Sequence, residues 1–255
     1  SAYGVPDSWV RTAFRRLQAR RFRALASRVD LWLPMSQDCL ESLVQDFGVP
    51  RDRCMATSAP QPSVDDALPR RDPEARPFRL LFVGNDFARK GGAQLCAAVG
   101  TLPDVQLTIV SRDPEAKRHV GDRIAVRDDV HDPAQLEQAY REAHLLVHPT
   151  FVDHYSHVIC EGLARGLPFA VTEGTPPAEL VARSGAGVAI AWPPSPRSIA
   201  DAVLRVMRAP ERYAPLCARA LAFARRDLHV EGFRTRLGDA LASLAREPLA
   251  EPALH

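Results

Sequence analysis

The sequence predicts an α/β fold, a parallel sheet covered by helices on both faces, and three observations carry that prediction. Six apolar runs, at residues 80–83, 105–110, 124–126, 145–147, 169–172 and 188–191, are short and do not alternate polar with apolar side chains, the pattern of strands buried on both faces. Helical stretches at 92–99, 133–143, 158–165 and 178–183 separate most of these runs, so the strands are joined by crossovers. The 255 residues, 46% hydrophobic and 25% charged, are enough for one good core or two small ones. The repeated strand–helix order makes the region Rossmann-like, with three further helices near 196–208, 211–225 and 230–245.

The part before the sheet reads differently. Residues 8–27 predict a helix with Val10, Phe14, Leu17 and Leu25 on one stripe, and it is rich in arginine (Arg11, Arg15, Arg16, Arg20, Arg21, Arg23, Arg28). Residues 31–34 read as a short buried strand. Ser36 caps a helix carrying Leu40, Leu43, Val44 and Phe47, which Gly48 and Pro50 stop. Between 56 and 78, Pro60, Pro62, Pro69, Pro73 and Pro77 lie among charges, as in an exposed linker, and a domain boundary is placed there. The chain opens on Ser1, Ala2 and Tyr3 without an initiator Met, and its first long segment is a helix with no strand before it. Both features lead us to expect a larger region preceding it.

Composition excludes several classes. A net charge of +2 gives no global field for nucleic acid. Cys39, Cys54, Cys96, Cys160 and Cys217 are scattered and odd in number, and reduced thiols in a cytosolic compartment are simpler than disulfides or zinc. The sequence shows no signal peptide and no apolar run long enough to span a bilayer.

In such sheets ligands bind beyond the carboxyl ends of the strands, which directs attention to the loops after Val83, Val110, Val126, Val147 and Thr172. After the first run comes Gly84, Asn85, Asp86, Phe87, Ala88, Arg89, Lys90, Gly91 and Gly92, a turn with two cations and then glycines opening a helix. Free amides at a helix start attract phosphate, although a strand–helix turn with solvated basic residues fits equally well. After the fourth run, Asp153 sits in the loop, Ser156 is a plausible N-cap, and Glu161 lies in the second turn of the following helix. Two carboxylates suit a hydroxyl-rich ligand and the amides near Ser156 and His157 suit a diphosphate. A helix-dipole Asp with a surface Glu is the alternative. His148, Asp153, His154 and His157 are metal-ligating types, but their spacing matches no standard site, and no metal is assigned. Ser156 lacks the flanking glycines of an esterase nucleophile.

Together these stretches resemble the C-terminal domain of family 4 retaining glycosyltransferases with the GT-B fold. The matching residues are Val83 and Gly84 with Lys90 and Gly91, Asp153 spaced to Glu161, the run Ala164, Arg165, Gly166, Leu167 and Pro168, and Glu179, Leu180 and Val181. Asp153 to Val158 is similar to the D-P-[FY]-S-x-V variant of lipopolysaccharide-core-type transferases. Ser36 after Leu33, Pro34 and Met35 resembles the strand end that closes the family's N-terminal domain. The resemblance runs from about residue 29 to 245.

The resemblance implies transfer of a sugar from a nucleoside-diphosphate-sugar donor, with retention, to a glycan, lipid or small-molecule acceptor, with no metal and no other cofactor. A nucleotide-sugar-binding relative without transfer activity is the alternative. Lys90, with Arg89, would bind the diphosphate; Asp153 would hold donor-sugar hydroxyls; Glu161 would accept ribose hydroxyls. Gly84, Asn85, Arg112, Ser156, His157 and Val158 would complete the donor site, and the stretch from Arg127 to Val130 would line the base pocket. Asn85 replaces the usual phosphate-binding Arg, and Asp153 is one methylene shorter than the usual Glu. The domains expected are a C-terminal remnant of the acceptor domain at 1–58, a linker at 59–78, the nucleotide-sugar-binding domain at 79–228, and a helix at 229–255 packing back toward the first. Such a fragment is expected to bind donor and need not turn over alone. The protein is expected in the cytoplasm, with a peripheral contact of the Arg-rich helix at the inner membrane face as a less favoured addition to a solvated basic face.

Overall fold

A computed structural model describes residues 9–26, 28–68, 70–128 and 132–246. The chain divides into two compact units, Ser1–Thr57 with Arg234–His255, and Ser58–Phe233.

In the smaller unit, α1 (Trp9–Ala26) meets the turns around α2 (Gln37–Gln45) through Phe22, whose ring lies 5.2 Å from Trp32 and 4.4 Å from Phe47. These aromatics and the buried Ala26, Leu43 and Val49 form its core. The apolar stripe expected on α1 is corrected accordingly: Leu17 and Leu25 are exposed, because the face that packs is the one bearing Phe22 and Ala26. Val10 and Phe14 have side chains outside the described set. Ser36 does cap α2, its Oγ accepting the Cys39 N–H at 3.1 Å. The strand expected at 31–34 is a single bridge between Trp32 and Cys54, since Pro34 has no N–H with which to extend a ladder.

The larger unit carries six parallel strands: β1 (Phe78–Val83), β2 (Val105–Val110), β3 (Ile124–Arg127), β4 (Leu145–His148), β5 (Phe169–Thr172) and β6 (Gly187–Ile190). Their order is β3-β2-β1-β4-β5-β6, so the chain reverses its direction of winding between β1 and β4. The crossovers include α3 (Gly92–Thr101), α4 (Pro133–Glu142), α5 (His157–Ala164) and α6 (Glu179–Ser184). Helices α7 (Pro196–Met207), α8 (Pro210–Phe223) and α9 (Val230–Arg246) follow, with a π-helical turn at Ala224–Leu228 before α9.

Both faces of the sheet are buried, which is why the strands read as continuous apolar runs. Phe78, Leu80, Phe82, Leu107, Ile109, Leu145 and Val147 point into one cluster with α3 and α7. Leu81, Leu146, Phe169 and Val171 point into the other with α4, α5 and α6. The fold is therefore the predicted α/β one. Among the described residues no helix is long and apolar enough to cross a membrane.

The segment read as an exposed linker runs along the larger unit. Ser58, Ala59 and Gln61 are buried, and the Gln61 and Asp65 N–H groups donate to Leu228 O at 2.7 Å and Ala164 O at 2.9 Å. Arg71 donates to the carbonyls of Tyr140, Arg165 and Gly166, near the ends of α4 and α5 where unpaired carbonyls collect. Gln61, Asp65 and Arg71 thus tie to helix ends a stretch in which residues 60, 62, 63, 66–68, 70, 72, 74 and 76 remain exposed.

Candidate functional site

The site grows from the two loops that flank the reversal between β1 and β4. Beyond β1 the chain turns at Gly91, whose φ of +72° is left-handed, and a Cβ there would lie 2.1 Å from the Pro149 carbonyl oxygen. Only glycine lets this turn press its backbone against the end of β4. The Phe151 N–H donates to Arg89 O at 2.9 Å. Arg89 ties the turn further, through an Nε–Asp86 Oδ2 contact of 2.6 Å and a hydrogen bond from Nη1 to the Val152 carbonyl.

Lys90 is directed differently from its neighbour. Its stem crosses the face of Gly84, where a Cβ would sit 2.5 Å from Cδ and 3.0 Å from Nζ. Burial depresses its ammonium below the ordinary lysine value, while the charges of Asp153 and Glu161 pull it back up. Lys90 is therefore a half-buried cation in the field of both predicted carboxylates.

Each carboxylate is held from behind. Asp153 Oδ2 lies 2.9 Å from Nε2 of His148, the last residue of β4, which is buried. Burial keeps the imidazole below its usual value, so at neutral pH a neutral His148 donates its Nε2–H to the carboxylate. Burial works to raise the Asp153 carboxyl, but the His148 bond and the charges of Lys90 and Arg89 hold it below the ordinary aspartate range. Glu161, in α5, accepts the Tyr140 hydroxyl proton on Oε2 at 2.5 Å, and burial beside that carboxylate pushes the phenol well above its usual value. The sequence offers His148 only as a metal-ligating type and does not single out Tyr140. The signal for both was polarity at positions the periodicity makes interior.

Ser156 is the N-cap of α5, its Oγ accepting the Ile159 N–H at 3.3 Å. The first amides of a helix have no carbonyl one turn back, so those of His157 and Val158 are left at the mouth of the site. The His157 side chain and His154 are exposed. His148 and Asp153 are engaged with each other, and among the described residues no three His, Cys, Asp or Glu side chains could together hold a metal ion.

A cleft of about 150 Å³ opens beyond β1, β2 and β3, lined among others by Gly84, Asn85, Arg112, Arg127 and Asp128. Asn85 Oδ1 accepts the Arg112 N–H at 2.9 Å and so joins the loops after β1 and β2, while the Arg112 side chain is exposed. Val130 lies outside the described residues.

Chemically, the arrangement offers one cation and unpaired amides for a diphosphate, two oriented carboxylates for hydroxyl groups, and an adjoining cleft for a flat ring. Known proteins share the family and the architecture. Residues 77–209 match the family model described as glycosyl transferases group 1. The lipopolysaccharide glucosyltransferase WaaG of Escherichia coli (strain K12) is 30% identical over 140 residues, which cover 50% of this chain and 37% of that protein. Sucrose-phosphate synthase of Thermosynechococcus elongatus superposes with a TM-score of 0.73 at 19% identity, over 90% of this chain and 62% of that one. Anabaena Alr3699/HepE in complex with UDP-glucose superposes with a TM-score of 0.70 at 18% identity, over 88% and 67%. The chain thus spans between about two fifths and two thirds of the length of these relatives, and the shared architecture is that of GT-B structures.

Proposed function

This chain belongs to the glycosyl transferases group 1 family, and on that premise we propose that it binds a nucleoside-diphosphate-sugar and transfers the sugar, with retention, to a glycan, lipid-linked or small-molecule acceptor. The observation that carries the reading is Lys90 set at the winding reversal in the field of Asp153 and Glu161, each carboxylate braced by a side chain buried beneath it. The complex of Alr3699/HepE with UDP-glucose and the glucosyltransferase activity named for WaaG support a nucleoside-diphosphate hexose as the donor class.

In this mechanism the bond between the anomeric carbon and the diphosphate oxygen breaks, and its electron pair stays with the diphosphate. The acceptor hydroxyl attacks the same face, and its proton passes to the departing phosphate oxygen. Lys90 and the first amides of α5 stabilise the charge gathering on that phosphate, which is where preorganised donors act most strongly. Asp153 accepts sugar hydroxyls through Oδ1, the oxygen His148 does not hold, and Glu161 accepts ribose hydroxyls through Oε1. Arg89 serves the diphosphate by fixing the turn that carries Lys90. The cleft beside Arg127 and Asp128 takes the base. All five cysteines are unpaired, which favours a reducing compartment and a cytoplasmic reaction.

Isothermal titration of the chain against UDP-, GDP- and ADP-glucose tests the donor site. At least one conjugate is expected to bind, and Lys90→Gln to weaken it at least tenfold, since a charge-assisted phosphate contact contributes about 1.5–3 kcal/mol. Absence of heat with all three, from a chain whose circular dichroism shows it folded, removes the reading.

A further inference from the structure

A second concave site lies on the larger unit beside the first residues of β6, at the end of the sheet opposite the loops that carry Lys90 and Asp153. It is a cleft of about 520 Å³ between β6, α7 and α8. Arg205, Arg212 and Arg219 line it, with Gly185 and Gly187 contributing backbone, and no Asp or Glu is among the lining residues. The volume falls in the range of small-molecule sites.

Two of the arginines are fixed by the protein itself. Arg219 donates through Nη1 to the Gly185 carbonyl at 3.2 Å, and Arg205 through Nη2 to the Ala189 carbonyl. Gly185 permits the first contact: its φ is +63°, and a Cβ there would meet Arg219 Cδ at 3.2 Å. Each bond uses one of the five N–H donors of a guanidinium, so both groups are oriented with donors to spare. Covering a carbonyl of the edge strand accounts for Arg205, and satisfying the carbonyl of Gly185, the C-cap of α6, accounts for Arg219. Neither role accounts for Arg212, about two turns from Arg219 on the same face of α8. The Arg212 side chain is 82% exposed and has Glu211 as its acidic neighbour at 3.7 Å. Three guanidinium groups line one hollow with no acidic lining residue, and each presents the planar fork of donors that suits phosphate oxygens.

We propose that this cleft binds a phosphate-bearing small molecule, at a site separate from the donor site and independent of the reaction assigned to it. Inorganic pyrophosphate is the probe. Its binding is measured by calorimetry on the full chain carrying Lys90→Gln, which weakens the donor turn, and again with Arg212→Gln and Arg219→Gln added. The Lys90→Gln chain is expected to keep a pyrophosphate site, and the added substitutions to weaken it at least tenfold. Arg212→Lys with Arg219→Lys, which keeps charge but loses the fork, is expected to fall between. Arg212→Gln alone, at an exposed position, guards against loss of folding and is expected to weaken binding at least threefold. Loss of all pyrophosphate binding on Lys90→Gln alone overturns the proposal, and so does binding unmoved by the arginine substitutions.

Discussion

His144, the residue before β4, makes the stability of the larger unit depend on pH. Its ring is buried, Nδ1 accepts the Arg79 backbone N–H at 2.9 Å, and the ring stacks on Phe78 with centroids 4.9 Å apart. A nitrogen that accepts a backbone N–H has no room for a proton. Burial, reinforced by the Arg79 and Arg71 cations, pushes the imidazole down from the ordinary 6.5 to about 4. The unfolded chain therefore takes up the proton first as the solution is acidified. The His144 contribution is complete above pH 6.5 and is lost as pH falls toward 4. The drop is worth about 3 kcal/mol in all, and about 2 kcal/mol of it has gone by pH 5. In His144→Asn the carboxamide oxygen can accept the same N–H and does not titrate. Urea unfolding followed by far-UV circular dichroism at pH 7.5 and pH 5.0 should show the parent losing about 2 kcal/mol more than the variant. His148, depressed in the same sense, titrates in both proteins and cancels. Equal losses, or an NMR titration of His144 near 6.5, would refute the reasoning.

Other consequences concern the donor site. His148→Leu leaves Asp153 without its buried donor, and the affinity for a bound nucleotide-sugar should fall toward that for the free nucleoside diphosphate; calorimetry with both ligands reads the difference. Tyr140→Phe removes the bond to Glu161 and should weaken free and sugar-bearing nucleotide alike, by about twofold to tenfold, because a single hydrogen bond contributes about 0.5–1.5 kcal/mol. Gly91→Ala has to place a Cβ against the Pro149 carbonyl at positive φ, and should cost more than about 2 kcal/mol by urea unfolding. An unchanged midpoint would contradict the backbone contact.

Where the sequence was legible, the reason is physical. Strands buried on both faces have to be apolar along their whole length, so Phe169 to Thr172 and Leu145 to Val147 could be found from composition alone. Ser36 and Ser156 announced helix starts because a side-chain oxygen that replaces a missing carbonyl is a local device. Long-range pairing has no such local mark. His148 looked like one more strand residue until Asp153 was seen folded back over it, and Tyr140 meets Glu161 across 21 residues of sequence. The stretch from 56 to 78 has exposed residues as a linker should, but its prolines and charges carry no mark of the contacts that Gln61, Asp65 and Arg71 make. Arg71 reaches carbonyls more than sixty residues away.

The press of Gly91 on Pro149 bears on how the protein moves. With Arg89 bonded to Val152 and Phe151 bonded to Arg89, the turn before α3 and the loop before α5 are joined into one surface rather than two separate fingers. A ligand arriving there meets a surface already set, and loses little affinity to arranging it. Any opening and closing that accompanies ligand binding has then to be sought outside these two loops, and a substitution at Gly91 would be felt first as slackness in ligand capture.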